Sequence, residues 1–131
     1  MKAIGIVGSP RIGNTTFLVK EALGILQGNG IDNGLLHLKG KEIKPCDGCL
    51  SCKKTLKCVI EGDDFEPLFQ KMREADGIIL GSPVYFGSAT PQLISLLDRA
   101  AYVQRNREEL FSGKIGGPIV VARRAGHKFT L

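Results

Sequence analysis

Tryptophan is absent from this 131-residue chain, and aromatic residues make up only 6% of it. Proteins that bind single-stranded nucleic acid usually interleave basic side chains with aromatic ones that stack on the bases. No such interleaving occurs here. The excess of 18 Lys and Arg over 13 Asp and Glu would equally suit a bound anionic cofactor, so we expect no nucleic-acid partner.

Long hydrophobic runs are absent as well. No apolar stretch approaches the roughly 20 residues that a membrane-spanning helix needs. The opening apolar run, residues 3–7, is too short for the apolar part of a secretory signal. We therefore expect a cytoplasmic protein with no membrane association, in a compartment where thiols stay reduced.

Cysteine is missing everywhere except in "PCDGCLSCKKTLKC", residues 45–58, with the spacing Cys46-x2-Cys49-x2-Cys52-x5-Cys58. A reducing compartment argues against disulfides. Structural zinc sites usually separate two Cys-x2-Cys pairs by a long spacer, which this loop lacks. Three cysteines at x2 intervals are closer to ferredoxin spacing, in which the fourth cysteine serves a second cluster. Because this chain has no second set, Cys58 can return to the same cluster. The spacing favours an iron–sulfur cluster and leaves zinc or metal-free thiols as alternatives.

Short apolar runs alternate with helical patterns. The predicted strands are residues 2–7, 35–38, 77–81 and 115–122. Three helices are predicted. The first spans residues 15–27. The second begins at a capping box formed by Asp63 and Glu66, and the third begins after Thr90, with Pro91 in its first turn. This order predicts a single α/β domain, residues 1–131, whose parallel sheet is covered by helices on both faces. Ligands of such sheets bind at the carboxyl ends of the strands.

The loop after the first strand reads "GSPRIGNTT", residues 8–16. It leads directly into a helix, whose unpaired N–H groups and dipole favour a phosphate. The side chains that would join them are Ser9, Arg11, Asn14, Thr15 and Thr16. Asn14 stands where a Walker A motif requires lysine, which argues against an NTPase. The alternative is an ordinary helix start after a tight turn.

The loop after the third strand reads "GSPVYFGS", residues 81–88. Tyr85 and Phe86 could stack on a planar ring at the carboxyl end of the strand, or pack beneath the next helix. After the fourth strand, "ARRAGH" (residues 122–127) is either a third wall of the same site or a solvated loop.

The two loops together resemble the flavodoxin-like FMN proteins of the NADPH-dependent FMN reductase group. The compact cysteines between them resemble the iron–sulfur flavoproteins of anaerobic archaea and bacteria. The resemblance spans about residues 2–126. It implies a flavodoxin-like, doubly wound parallel sheet with the cysteine-rich loop inserted after the second strand. Family members usually continue through a fifth strand and a last helix, which we expect this chain to lack.

The resemblance also implies the cofactors. The first loop would bind the FMN phosphate, and the four cysteines would hold a [4Fe–4S] cluster. The residues lying along the isoalloxazine and ribityl would be Pro83, Val84, Tyr85, Phe86 and Gly87.

We therefore expect an FMN-binding electron-transfer flavoprotein with a [4Fe–4S] cluster, whose cofactors carry the chemistry and which needs no catalytic side chain. Its redox donor would be ferredoxin or NAD(P)H. The alternatives are an NAD(P)H-dependent FMN reductase without a cluster and a zinc-stabilised interaction module. An uncovered sheet edge and an exposed cysteine loop predict a homodimer or a larger even assembly.

Overall fold

A computed structural model of the chain describes residues 1–106 and 110–130. The strands are β1 (Lys2–Val7), β2 (Asp32–His37), β3 (Gly77–Pro83) and β4 (Ile115–Val121). The helices are α1 (Asn14–Gly28), α2 (Cys52–Thr55), α3 (Phe65–Glu74), α4 (Pro91–Arg105) and α5 (His127–Thr130). None of the helices in the described ranges has both the length and the apolar character needed to cross a bilayer.

The four strands form one parallel sheet in the order β2-β1-β3-β4. Helices cover both of its faces. A smaller core packs Val7 of β1 against Val19 and Leu23 of α1. A larger core on the other face packs Ile4 and Ile6 of β1 against α3 and α4. This arrangement confirms the predicted flavodoxin-like, doubly wound sheet.

The strand order has one reversal, between β1 and β3. The chain leaves β1 toward β2 on one side and later returns to place β3 on the other side. Loops that follow the two strands at such a reversal separate and leave a crevice in which ligands bind. The loops after β1 and β3 therefore occupy the position where a ligand is expected.

The predicted second strand was too short. β2 begins at Asp32 rather than residue 35. Its polar start, Asp32-Asn33-Gly34, carries no apolar signal, but it pairs in parallel register with Lys2 to Ile4 of β1. Backbone pairing with a buried neighbour thus extended a strand that side-chain pattern alone did not reveal.

The predicted capping box at the start of α3 is wrong. The residue that precedes α3 is Asp64, not Asp63. The Asp63 carboxylate accepts hydrogen bonds from the N–H groups of Lys44 (2.9 Å) and Phe65 (3.2 Å) and from the guanidinium of Arg99. The carboxylate therefore bonds the buried guanidinium and the first N–H of α3, and not the N–H of Glu66 that a capping box requires.

Candidate functional site

The loops after β1 and β3 are held together by backbone contacts at two glycines. The N–H of Gly8 donates to the carbonyl of Gly81 (2.8 Å), and the Thr90 hydroxyl donates to the carbonyl of Gly8 (2.7 Å). A Cβ at Gly8 would lie 2.8 Å from Thr90 Oγ1, and one at Gly81 would lie 2.4 Å from Val19 Cγ2. Glycine therefore allows the β1 loop to pack against the start of α4 at Gly8, and α1 to pack against β3 at Gly81.

A cavity of about 590 Å³ opens beside these glycines, at the carboxyl ends of β1, β3 and β4. Its volume lies in the range of small-molecule and cofactor sites. The cavity brings together seven of the predicted site residues: Ser9, Arg11, Asn14, Thr15, Pro83, Val84 and Tyr85. Ala122 and Arg123 form a further wall, which is one of the two alternatives that the sequence left open for the loop after β4.

One end of the cavity is the amino end of α1. Gly13 precedes the helix and, having no side chain, leaves the first N–H groups of α1 open to an anion. The turn before it is closed by Ser9, whose Oγ donates to the carbonyl of Arg11 (2.7 Å) and accepts from the Arg11 N–H (3.2 Å). Thr15 is buried at the base, whereas Asn14 is exposed at the mouth.

Thr16, although predicted beside the phosphate, does not line this cavity. Its side chain is buried, and its Oγ1 lies 3.1 Å from His37 Nε2. Burial lowers the pKa of His37, and the nearby Lys39 and Lys20 lower it further. The imidazole is therefore neutral over a wider pH range than a free histidine. Its Nδ1 accepts from the N–H of Lys39 (3.0 Å), so in the neutral ring Nε2 carries the proton and donates to the Thr16 hydroxyl.

The other end of the cavity is a tight turn. The N–H of Tyr85 donates to the carbonyl of Ser88 (2.8 Å), and the reverse bond is 3.0 Å. The two residues between them, Phe86 and Gly87, have φ of 49° and 81°, as a type I′ turn requires. Tyr85 is 41% exposed and Phe86 fully exposed, which contradicts the alternative that they pack beneath the next helix. Phe86 and Gly87 lie at the tip, outside the cavity walls.

Gly126 was not singled out from the sequence, yet it supports this turn. It has φ of 100°, and a Cβ there would lie 2.6 Å from Val84 Cγ1 and 3.6 Å from the Cα of Gly87. The loop after β4 therefore packs directly on the loop after β3. The sequence signal for its role was a glycine within a basic stretch that follows the fourth strand.

The four cysteines line a second cavity, between their loop and α4. Cys52 is buried, Cys46 and Cys58 are half-buried, Cys49 is exposed, and all four are free thiols. The cavity is small, about 20 Å³, which is room for roughly one water molecule. Across residues 1–106 and 110–130, no three His, Cys, Asp or Glu side chains surround a single metal-ion position. The thiols thus share a cavity without converging on one point.

Helix α4 and the residue that follows it, Asn106, supply polar contacts to two of these sulfurs. Arg99 Nε donates to Cys58 Sγ (3.2 Å), and Asn106 Nδ2 donates to Cys52 Sγ (3.7 Å). The Cys52 thiol in turn donates to the carbonyl of Tyr102 (3.6 Å). Thiols that share one cavity beside a cationic side chain are the donor set used by iron–sulfur clusters, so the residues present fit such a group.

Arg99 is almost fully buried, with 1% of its side chain exposed. It pairs with Asp63 and donates to the carbonyls of Lys44 (3.2 Å) and Ile60 (2.8 Å). Its guanidinium also lies 4.0 Å from the centre of the Phe65 ring. One side chain therefore ties together the segments that enter and leave the cysteine loop.

Asp63 owes its charge to these contacts. Burial raises the pKa of its carboxyl, but hydrogen bonds from Arg99 and from the N–H groups of Lys44 and Phe65 outweigh that effect. The net result is a pKa below the ordinary value of 3.8.

Sequence reasoning missed Arg99 because a basic residue on a helix usually faces solvent. Its place in the apolar stripe, three residues after Leu96, was the available signal.

The two cavities lie at different points along α4. Thr90, which contacts the first loop, precedes the helix, and Arg99, which contacts Cys58, comes nine residues later. At 1.5 Å per residue, this places them about 14 Å apart along the helix axis. The cysteine site is therefore displaced from the loops at the strand ends.

Residues 1–130 match the family described as NADPH-dependent FMN reductase. The chain is 46% identical to an iron–sulfur flavoprotein of Methanocaldococcus jannaschii, over 100% of this chain and 68% of that protein. It is 36% identical to iron–sulfur flavoproteins of Archaeoglobus fulgidus (90% of this chain, 60% of that protein) and Methanosarcina thermophila (100% and 69%). The chain thus spans 60–69% of the length of these relatives.

Two solved structures share the fold at low sequence identity. RosB, with a bound flavin-derived intermediate, superposes with a TM-score of 0.78 at 16% identity, over 99% of this chain and 55% of that one. An NADH:FMN oxidoreductase in its apo form superposes with a TM-score of 0.64 at 22% identity, over 99% and 63%. At these identities the likeness concerns the fold alone.

Proposed function

The chain belongs to the NADPH-dependent FMN reductase family, and on that premise we propose that it is an FMN-binding electron-transfer flavoprotein that carries a [4Fe–4S] cluster. The observation that carries the proposal is the pair of cavities. One lies at the strand-order reversal, with an open helix amino end and an exposed aromatic turn. The other gathers every cysteine of the chain.

In the first cavity, the amino end of α1 binds the FMN phosphate. Its N–H groups and dipole supply the favourable field, and Arg11 adds a positive charge at the mouth. Asn14 and Thr15 donate hydrogen bonds from their side chains. Ser9, already bonded to the Arg11 backbone, shapes the turn.

The flavin ring lies along the turn that follows β3. Pro83 and Val84 form its inner wall, and Tyr85 lies beside it with an exposed aromatic face. Phe86 and Gly87 stand at the tip of the turn, where Phe86 can close over a bound ring or meet a partner protein. Gly126 fixes this turn by packing on Val84.

In the second cavity, Cys46, Cys49, Cys52 and Cys58 are the ligands of the cluster. The cluster supplies one-electron transfer, while FMN exchanges one or two electrons. The relatives named as iron–sulfur flavoproteins support the presence of a cluster, and the x2 intervals between Cys46, Cys49 and Cys52, which resemble bacterial ferredoxin spacing, support its [4Fe–4S] type. Because the cavity has room for only about one water, loading requires the cysteine loop to rearrange around the cluster.

The separation of the sites along α4 bears on assembly. We expect a homodimer or a larger even assembly in which the cysteine loop of one chain lies near the flavin of another, since this would shorten the path between the cofactors. The redox donor would be NAD(P)H or ferredoxin. Sedimentation of the reconstituted chain at micromolar concentration tests the assembly, and a monomer that still transfers electrons between its cofactors would contradict it.

The visible spectrum of the protein, reconstituted anaerobically with iron, sulfide and FMN, tests the function. Flavin bands on a broad iron–sulfur absorption are the expected result. Flavin bands alone would instead indicate an FMN reductase without a cluster. A protein that binds neither cofactor, but binds zinc, would indicate the zinc-stabilised interaction module.

A further inference from the structure

The last two turns of α4 present one stripe of residues to the cysteine loop. Tyr102, Val103 and Asn106, the residue that follows the helix, stand three, four and seven positions after Arg99, which is the spacing of a single helix face. Arg99, Tyr102 and Val103 line the cysteine cavity. Arg99 and Asn106 direct N–H groups at the sulfurs of Cys58 and Cys52. The stripe thus faces two of the proposed ligands.

The orientation of Arg99 is fixed by its other bonds. One terminal nitrogen is bonded to Asp63 and to the carbonyl of Lys44, and the other to the carbonyl of Ile60. Nε, the remaining nitrogen, donates to Cys58 Sγ. A buried cation is tolerated only when it is paired and hydrogen-bonded. These bonds therefore keep the guanidinium from rotating and direct its Nε–H at the Cys58 sulfur.

Asn106 acts at the end of the helix. Its Nδ2 has two hydrogens, and the side chain bonds both the carbonyl of Tyr102 (2.7 Å) and Cys52 Sγ (3.7 Å). The Cys52 thiol now donates to Tyr102, but a cysteine must lose its proton to bind iron. In the loaded protein the sulfur can only accept, so the Asn106 bond is the one that persists.

Resting on the proposed function, we propose that Arg99 and Asn106 are positioning residues of the cluster, which hold Cys58 and Cys52 by N–H···S bonds and raise the cluster's reduction potential. Reduction adds negative charge to the cluster and its sulfurs. Donors to the sulfurs stabilise that charge, and hydrogen bonding of this kind is one of the factors that set iron–sulfur potentials.

The test is a potentiometric titration with dithionite of the anaerobically reconstituted full chain, followed by electron paramagnetic resonance. The variants are Arg99→Lys, which keeps the charge beside Asp63 but loses the guanidinium fork, and Asn106→Leu, which removes the amide. In each, we expect the ratio of reduced to oxidised cluster at a fixed potential to fall about tenfold, a downward shift of about 59 mV for a one-electron couple.

The chain offers a matched control for each variant. Arg105→Lys makes the same change at an exposed position of α4. Asn29→Leu removes the corresponding amide at the end of α1, where its Nδ2 donates to the carbonyl of Ile25 (2.8 Å) without a sulfur nearby. Neither control is expected to change the midpoint potential.

Unchanged reduction potentials in cluster-loaded Arg99→Lys and Asn106→Leu would overturn this inference but leave the proposed function standing. Equal shifts in the control variants would do the same. If Arg99→Lys fails to fold, Asn106→Leu decides the question by itself. A folded wild-type chain that takes up no iron and sulfide would overturn the proposed function, and this inference with it.

Discussion

The cavity at the carboxyl ends of β1, β3 and β4 has a volume of about 590 Å³, whereas the cavity between the cysteine loop and α4 has a volume of about 20 Å³. The larger cavity is walled by loops that the sheet places, with Gly8 and Gly81 in backbone contact. The smaller one is walled by the cysteines and held closed by side chains of α4, above all Arg99. The fold alone therefore prepares a flavin-sized space, while the space for a cluster depends on what the loop binds.

Backbone strain is a feature that the two sites share. Within the described ranges, the residues other than glycine with positive φ are Leu50 (58°), Leu56 (56°) and Phe86 (49°). The first two lie in the cysteine loop and the third at the tip of the turn beside the larger cavity. Such conformations cost of order 1–3 kcal/mol each and cluster at functional sites. Both segments therefore have reason to rearrange when a ligand supplies new contacts.

The largest expected effect comes from breaking the larger cavity. The double variant Asn14→Leu, Thr15→Val removes two donors to the phosphate, each worth about 1.5–3 kcal/mol for a charged acceptor. FMN binding to the apo chain, measured by quenching of flavin fluorescence, should weaken by a factor of hundreds or more. Asn29→Leu, at the other end of the same helix, is the control. An unchanged affinity in the folded double variant would remove the phosphate from this loop.

The second-largest effect should come from breaking the Arg99–Asp63 ion pair beside the smaller cavity. Asp63→Ala leaves the Arg99 guanidinium buried without its carboxylate, a loss that typically costs about 3–5 kcal/mol. The free energy of unfolding, from urea titration, should fall accordingly. Asp64→Ala is the matched control, since that carboxylate lies partly exposed beside Lys41 (3.0 Å) and should matter much less.

The pH dependence of this loss sharpens the test. Because the pKa of Asp63 is lowered in the folded protein, its contribution is complete above the ordinary value of 3.8 and is lost as the pH falls through the folded-state pKa. The wild type should therefore lose its advantage over Asp63→Ala in acid. A stability difference that is constant from neutral pH down to pH 2 would contradict the ion pair as its source.

The smallest effect concerns the close packing of α1 on β3 beside the larger cavity. Gly81→Ala forces a Cβ to within 2.4 Å of Val19 Cγ2 in the core, and overpacking of this kind costs about 1–3 kcal/mol. Gly116→Ala, on β4, meets nothing within 4 Å and should stay within about 0.5 kcal/mol. Thermal unfolding of both variants measures the difference, and equal stability would show that α1 can shift at little cost to admit the extra methyl group.

The larger cavity could be predicted largely from the sequence. Strand order and loop position place the loops after β1 and β3 at one crevice, so local motifs were enough to find their residues. Thr16, Phe86 and Gly87 are the exceptions, and Phe86 and Gly87 lie at the tip of the turn, outside the walls. Successive helical residues point about 100° apart, so Thr15 faces the cavity while Thr16 turns toward His37.

The smaller cavity could be predicted only in part. The cysteine spacing indicated the donor set, but the partners of the loop lie far away in sequence: Arg99 is 41 residues from Cys58 and 36 from Asp63. No local pattern reveals such a contact, which is why Asp63 read as a helix cap. Long-range side-chain pairs need the fold before they can be recognised.

The content of iron, sulfide and FMN in the reconstituted wild type and in Cys58→Ala, measured in parallel, tests most directly whether this chain holds two separate cofactor sites. The account predicts about four irons and four sulfides with one FMN in the wild type, and retention of FMN with loss of the cluster in Cys58→Ala. A full iron complement in Cys58→Ala, or a folded wild type that binds FMN without iron, would contradict it.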